Sequence, residues 1–181
     1  MIEDKLLIWR IKHGSSEALG RIYKKYKDNL LRLALGLLND RAAAEDIVHD
    51  CFVSIAQSTE KLRLSGNFKS YLATCVVNRV RNANKTGQRR EVVGQDETRT
   101  ETSNLERPEQ WIIDSERLRL LNNAMAQLPN QQREVIILHT QGEMKFKAIA
   151  ELQGASINTV QSRYRYGLDK LRSILNSEVK L

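Results

Sequence analysis

The chain has 181 residues, 29 Lys+Arg against 22 Asp+Glu, a formal net charge of +7, and 41% hydrophobic but only 6% aromatic residues. That length allows one ordinary domain or two small ones, and the apolar content is enough for a core, which excludes wholesale disorder. No apolar run approaches the ~20 residues of a membrane-spanning helix. The start, Met1-Ile2-Glu3-Asp4-Lys5, lacks the basic region and small-residue cleavage site of a secretory signal, so the expected location is the cytoplasm. Cys51 and Cys75 have apolar neighbours and read as buried reduced thiols. Nine glycines and two prolines argue against a sheet-rich fold full of tight turns.

In chain order the periodicity is helical. Leu6 to Lys12 predicts a short amphipathic helix ending at Gly14. Ser16 is the expected N-cap of a long helix whose apolar stripe is Leu19, Ile22, Tyr23, Tyr26, Leu30, Leu33 and Leu37. Asn39-Asp40 breaks the pattern, and Ala44, Ile47, Val48, Cys51, Phe52 and Ile55 start another stripe. After the polar loop 57–67, Phe68, Tyr71, Leu72, Cys75, Val76 and Val80 form a third, which turns basic through Arg79, Arg81, Lys85, Arg89 and Arg90. Farther on, Trp111 to Leu128 predicts a helix stopped by Pro129. Gln131 to Thr140, Phe146 to Gln153 and Ile157 to Leu175 follow. The expected fold is therefore all-α: a three- or four-helix bundle over 1–90 and a smaller helical domain over 111–181.

Charge separates these two blocks. Residues 1–90 carry a net +8, residues 91–115 a net −5 and residues 116–181 a net +4. The stretch 91–110, with few apolar residues, cannot offset its own ordering entropy and is expected to be a flexible acidic linker. Two basic domains suit a polyanionic partner, most simply nucleic acid.

The last helix pair is the most informative. Ile149 to Gln153, Gly154, Ala155 and Ser156 read as a helix, a turn glycine and a new cap. A helix-turn-helix needs a small residue where the helices touch (Ala150), a residue tolerant of positive φ (Gly154) and an inward apolar residue on the second helix (Val160). Ser156, Asn158, Thr159, Gln161 and Ser162 then offer donors and acceptors for base edges, and Arg163 and Arg165 offer contacts to guanine or phosphate. An ordinary helical hairpin with a solvated face is the competing reading.

Three segments carry a resemblance. Leu128 to Val135, with Ile149-Ala150-Glu151 and Thr159 to Arg163, resembles region 4 of bacterial sigma factors. Ala44 to Phe52 resembles region 2.2, and Gly66 to Arg79 resembles regions 2.3 and 2.4. Their order and spacing are similar to the extracytoplasmic-function (ECF) group of the sigma-70 family. That resemblance implies core RNA polymerase and promoter DNA as partners, action at the nucleoid, and, in many members, an anti-sigma factor. It implies that Asp46, His49 and Asp50 dock on the β′ clamp coiled coil. It implies that Asn67, Phe68, Tyr71, Asn78, Arg79 and Asn82 read and melt the minus-ten element, with Lys85, Arg89 and Arg90 on phosphates. The C-terminal domain would read the minus-thirty-five element and touch the β flap. The acidic linker (Glu91, Asp96, Glu97, Glu101, Glu106, Glu109) would thread the polymerase interior. Gln153 and Ala155 depart from the pattern, standing where apolar residues are usual.

Nothing supports catalysis. His13, His49 and His139 are dispersed, no zinc-type pair or phosphate-binding glycine loop occurs, and no cofactor or metal is expected. The alternatives to a sigma factor are a stand-alone helix-turn-helix regulator that binds no polymerase and an interaction bundle with no DNA role.

Overall fold

The structure is a computed structural model that describes residues 2–38, 40–58, 67–92 and 119–178. The described residues are helical throughout, without a strand: α1 (Ile2–Lys12), α2 (Ser16–Leu38), α3 (Arg41–Gln57), α4 (Phe68–Val92), α5 (residues 119–126), α6 (Asn130–Thr140), α7 (Phe146–Gln153) and α8 (Ile157–Glu178). The linker residues 93–110, and the expected start of a helix at Trp111, lie outside the described residues.

The N-terminal unit is built on α2. Its stripe turns inward as expected, with Ile22, Leu30 and Leu33 fully buried and Tyr26 and Leu37 nearly so. Each such aliphatic side chain contributes about 1.5–3 kcal/mol by leaving water. The cap differs from expectation: Ser15, not Ser16, accepts the Ala18 N–H at 3.2 Å through its hydroxyl. The reason is the turn before it, where Gly14 takes a φ of 85° and leaves Ser15 one residue outside the helix. Asp40 caps α3 in the usual way, its carboxylate accepting the Ala43 N–H at 3.1 Å. Ile47, Val48, Cys51, Phe52 and Ile55 face α2 and α4. Cys51 and Cys75 are free thiols. Cys51 is buried and Cys75 half-buried, and burial pushes the Cys51 thiol up to about 12.

Helix α1 starts four residues earlier than its periodicity indicates and packs on α2 through Leu7, Ile8 and Ile11. A charged clasp adds to this: Lys25 donates to Asp4 at 2.7 Å and to Glu3 at 2.6 Å. Burial works against ionisation of Asp4, but the Lys25 ammonium outweighs it and holds the carboxyl below its ordinary 3.8. A lowered folded value means that the contribution is fully present above the unfolded pKa and is lost as pH falls. Because Lys25 remains partly solvated, Asp4→Asn is expected to cost only about 1 kcal/mol near neutrality. In urea titrations the gap between wild type and variant closes progressively below pH 3.8. A gap that persisted in acid would remove the clasp from the account.

The C-terminal unit closes around Val135, Leu138, Ile149 and Val160, all at or near zero exposure. An aromatic trio shields one side: His139 stacks on Phe146 at 4.4 Å, and Tyr164 meets both edge-on at 5.1 and 5.3 Å. His139 Nδ1 donates to the Met144 carbonyl at 2.9 Å, pinning the loop between α6 and α7. The two units pack against each other, chiefly α2 on α6.

Candidate nucleic-acid interface and docking face

The helix-turn-helix forms as its spacing requires. Ala150 is buried where α7 meets α8, and Gly154 takes the left-handed conformation (φ 60°, ψ 37°), donating its N–H to the carbonyls of Ala150 and Glu151. Ser156 then caps α8, accepting the Thr159 N–H at 3.1 Å, with the two hydroxyls 2.8 Å apart. Val160 points into the core at zero exposure. These constraints leave Ser156, Asn158, Thr159, Gln161 and Arg165 exposed along the N-terminal half of α8, with Ser162 half-buried. Arg165 lies over the exposed ring of Tyr166, 5.0 Å from its centroid. Arg163 does not project with them. It is half-buried and donates from Nη1 to Gln153 Oε1 at 2.7 Å.

Helix α4 presents three faces, as its 3.6-residue period dictates. Phe68, Leu72, Val76 and Val80 line the N-terminal core. Asn78 and Asn82 are exposed, with Arg79 half-buried beside them and donating to the Asp50 carbonyl at 3.0 Å. Asn67 caps the helix, accepting the Lys69 N–H at 3.1 Å, so its side chain is occupied locally. Of the two aromatics expected to hold an unstacked base, Phe68 is only 3% exposed and sits edge-on to Tyr26 at 5.7 Å. Phe68 is thus a core residue, correcting its assignment to the DNA face, because reaching a base would empty its place between α2 and α4. Tyr71 stacks over it at 6.0 Å and keeps a partly open ring face. The side chains of Lys85, Arg89 and Arg90 lie outside those described.

On α3, Asp46, His49 and Asp50 are all exposed, on the side opposite Val48, Phe52 and Ile55. The Arg41–Glu45 pair at 2.9 Å borders them. They form a rigid polar face with spare acceptors.

Residues 22–90 match the family described as sigma-70 region 2, and residues 118–171 match that described as sigma-70, region 4. The chain belongs to the sigma-70 family. Within it, the chain falls in the ECF group of sigma factors. It is 23% identical over 170 residues to the ECF RNA polymerase sigma-E factor of Haemophilus influenzae, covering 90% of this chain and 89% of that one. With the ECF RNA polymerase sigma factor SigW of Bacillus subtilis it shares 24% over 179 residues, 94% of this chain and 96% of the relative. Among solved structures, its fold is similar to that of CnrH in complex with the cytosolic domain of CnrY, with a TM-score of 0.68 at 19% identity over 97% and 98% of the two chains. It is also similar to the sigma factor RpoE in complex with the anti-sigma factor NepR from Bartonella quintana, with a TM-score of 0.60 at 21% identity over 86% and 97%.

The sigma factor also contains a polar network that no motif indicated. Arg81, on the third face of α4, donates Nε and Nη2 to the two oxygens of Glu134 on α6, at 3.0 and 2.6 Å, and Nη1 to the Leu152 carbonyl at 3.1 Å. Gln153 Nε2 donates to the same Glu134 at 2.9 Å, and Gln153 Oε1 accepts from Arg163. Gln153 thus bridges the buried Glu134 carboxylate and Arg163 of α8. Nearby, Lys69 donates to Glu143 at 2.6 Å, and Glu143 is a non-glycine residue with a positive φ of 52°. The one sequence signal was indirect: Gln153 at a position where apolar packing is usual. In the sequence Arg81 belongs to the basic end of its helix and Glu134 to the Leu128–Val135 segment, with nothing to pair them.

Proposed function

We propose that this sigma factor is the promoter-specificity subunit of RNA polymerase, with its tasks divided between the two helical units: 1–90 for polymerase docking and the minus-ten element, and 111–181 for the minus-thirty-five element, joined through 91–110. The exposed Asp46–His49–Asp50 face docks on the β′ clamp coiled coil. The exposed flank of α4, with Tyr71, Asn78, Arg79 and Asn82, captures the melted minus-ten strand, where polar edges and one open ring suit an unstacked base. The N-terminal half of α8 enters the major groove at the minus-thirty-five element, with Ser156, Asn158, Thr159 and Gln161 at base edges and Arg165 on phosphate or guanine. The C-terminal unit also touches the β flap. Its working place is the cytoplasm, at the nucleoid.

The observation that carries this reading is the presence, in order on one chain, of both family regions, each with its polar face exposed on a packed helical scaffold. A stand-alone helix-turn-helix regulator has no use for the first region, so that alternative loses ground. Run-off transcription with sigma-free core enzyme, using a genomic fragment library as template, tests it. The expected result is discrete transcripts whose start sites share two upstream elements. DNA binding without any start-site-specific transcript would return the chain to the regulator class.

A further inference from the structure

Tyr166 leaves 55% of its surface to water, although it stands on the helix that carries the residues proposed to face DNA. Thr159, Ser162 and Tyr166 are spaced i, i+3 and i+7. The ring therefore lies one turn beyond Ser162 on the same side of α8, turned away from the buried Val160 and Leu171. Tyr164, two residues earlier, packs against the core, whereas Tyr166 is outside it. What the Tyr166 ring does touch is Arg165. The guanidinium carbon is 5.0 Å from the ring centroid, and Nη2 donates to the Tyr166 hydroxyl at 3.3 Å. The carboxylate one turn further on, Asp169, pairs with Arg172 at 3.7 Å instead. Two arginines of α8 are thus held differently: Arg163 by the Gln153 amide, and Arg165 by an aromatic ring.

From this contact we infer that Tyr166 is a positioning residue for Arg165, and that the pair makes α8 selective for guanine at one base pair of the minus-thirty-five element. The inference rests on the proposed role of α8 and narrows the contact of Arg165 from phosphate or guanine to guanine alone. A phosphate needs only a charge within reach, which a long side chain free to search supplies. Guanine presents O6 and N7 side by side, and it is matched by a guanidinium whose plane is already set. An exposed arginine loses rotamer freedom when it docks on a base edge. The ring removes part of that freedom beforehand, because its quadrupole holds the cation over its face, and an ordering cost met before binding no longer counts against it. One N–H of Arg165 goes to the Tyr166 hydroxyl, and the remaining donors are left for O6 and N7.

Holoenzyme assembled from the full chain and core RNA polymerase tests this on a promoter pool randomised across the minus-thirty-five element, with transcript yield read for each base at each position. Tyr166→Phe keeps the ring and loses the hydroxyl, Tyr166→Leu keeps apolar bulk and loses the ring, and Arg165→Ala removes the cation. All three changes fall at exposed positions, so the fold is kept. Wild type should prefer guanine at one position, and Arg165→Ala should remove that preference. Tyr166→Leu should lower it ~5-fold at the same position, while Tyr166→Phe stays within ~2-fold of wild type. Added to Arg165→Ala, Tyr166→Leu should change nothing more there. Exchanging that guanine for 7-deazaguanine, which lacks the N7 acceptor, should cost wild type more than Tyr166→Leu. A Tyr166→Leu loss that is equal for every sequence, or that falls on a different base pair, overturns the proposal. So does a Tyr166→Phe variant as impaired as Tyr166→Leu. An Arg165→Ala profile identical to wild type takes Arg165 off the bases and overturns it as well. A wild-type holoenzyme that starts at specific sites yet shows no base preference anywhere in the minus-thirty-five element is instead a failure of the α8 reading itself, and the proposal falls with it.

Discussion

Asp46→Arg/Asp50→Arg is expected to abolish co-elution of the chain with core RNA polymerase on gel filtration, weakening the complex at least ~100-fold, or about 3 kcal/mol. Both carboxylates stand on the solvent side of α3, one turn apart, with His49 between them. The helix that carries them is fixed from behind by Ile47, Val48, Cys51 and Phe52, and by Arg79, which donates to the backbone carbonyl of Asp50 rather than to its side chain. The substitution therefore leaves every core contact and that hydrogen bond in place. Its cost to folding is like-charge repulsion at i, i+4 and with the neighbouring Arg79, under about 1 kcal/mol at these solvent-exposed positions. Its cost to docking is much larger, because a cationic partner surface then meets two like charges with water removed between them. Circular dichroism and the thermal midpoint should stay close to wild type while co-elution is lost. Retention of the complex by a folded variant would move the docking face elsewhere on the N-terminal unit.

Val160→Asp is expected to destabilise the C-terminal unit by about 4 kcal/mol or more at neutral pH and to remove minus-thirty-five recognition altogether. Val160 has no solvent exposure, and its immediate surroundings are the apolar residues of the helix-turn-helix. A carboxyl placed there must either ionise without a partner or take up a proton. A pKa raised by ~3 units corresponds to about 4 kcal/mol at pH 7. Because the folded value is raised, the penalty is full above it and fades as pH falls toward the unfolded value near ~4. Thermal melts should accordingly show stability partly returning between pH 7 and pH 5. The N-terminal unit has its own core around Ile22, Leu30, Leu33, Leu72 and Val76, so binding to core polymerase should survive. A variant that melts like wild type would mean that the turn can repack around a charge, and that α8 is not held as its burial indicates.

The two substitutions differ in how far the residues alone foretell them. The exposed face proposed for docking is readable because carboxylates at i and i+4, opposite an apolar stripe, can only lie on the solvent side of a helix packed through that stripe. Val160 is readable because the distances from Ala150 to Gly154 and on to Val160 are set by local helix and turn geometry, and the structure places all three as those distances require. The Ser15 cap was misplaced by one residue because two adjacent serines carry the same local signal, and the positive φ of Gly14 chooses between them. Phe68 fits both an inward stripe and a base-stacking role, and only its edge-on contact with Tyr26 of another helix resolves the two.

What the amino-acid order determined by itself is the short-range part: the approximate helix positions, which side of each helix is apolar, and which polar faces are left over. Those follow from contacts within a few residues along the chain, where spacing and geometry are the same thing. What the tertiary structure alone decided is the contact between the units. Arg81 and Glu134 are 53 positions apart, and Gln153 and Arg163 join them only after α4, α6, α7 and α8 have packed. In the linear sequence Arg163 is set apart as a DNA contact and Gln153 as a departure from an apolar pattern, but nothing joins either of them to Arg81 or Glu134. Only when Gly36 meets Ile137 and Gly142 meets Ala73 are α4 and α6 close enough for these side chains to become one network.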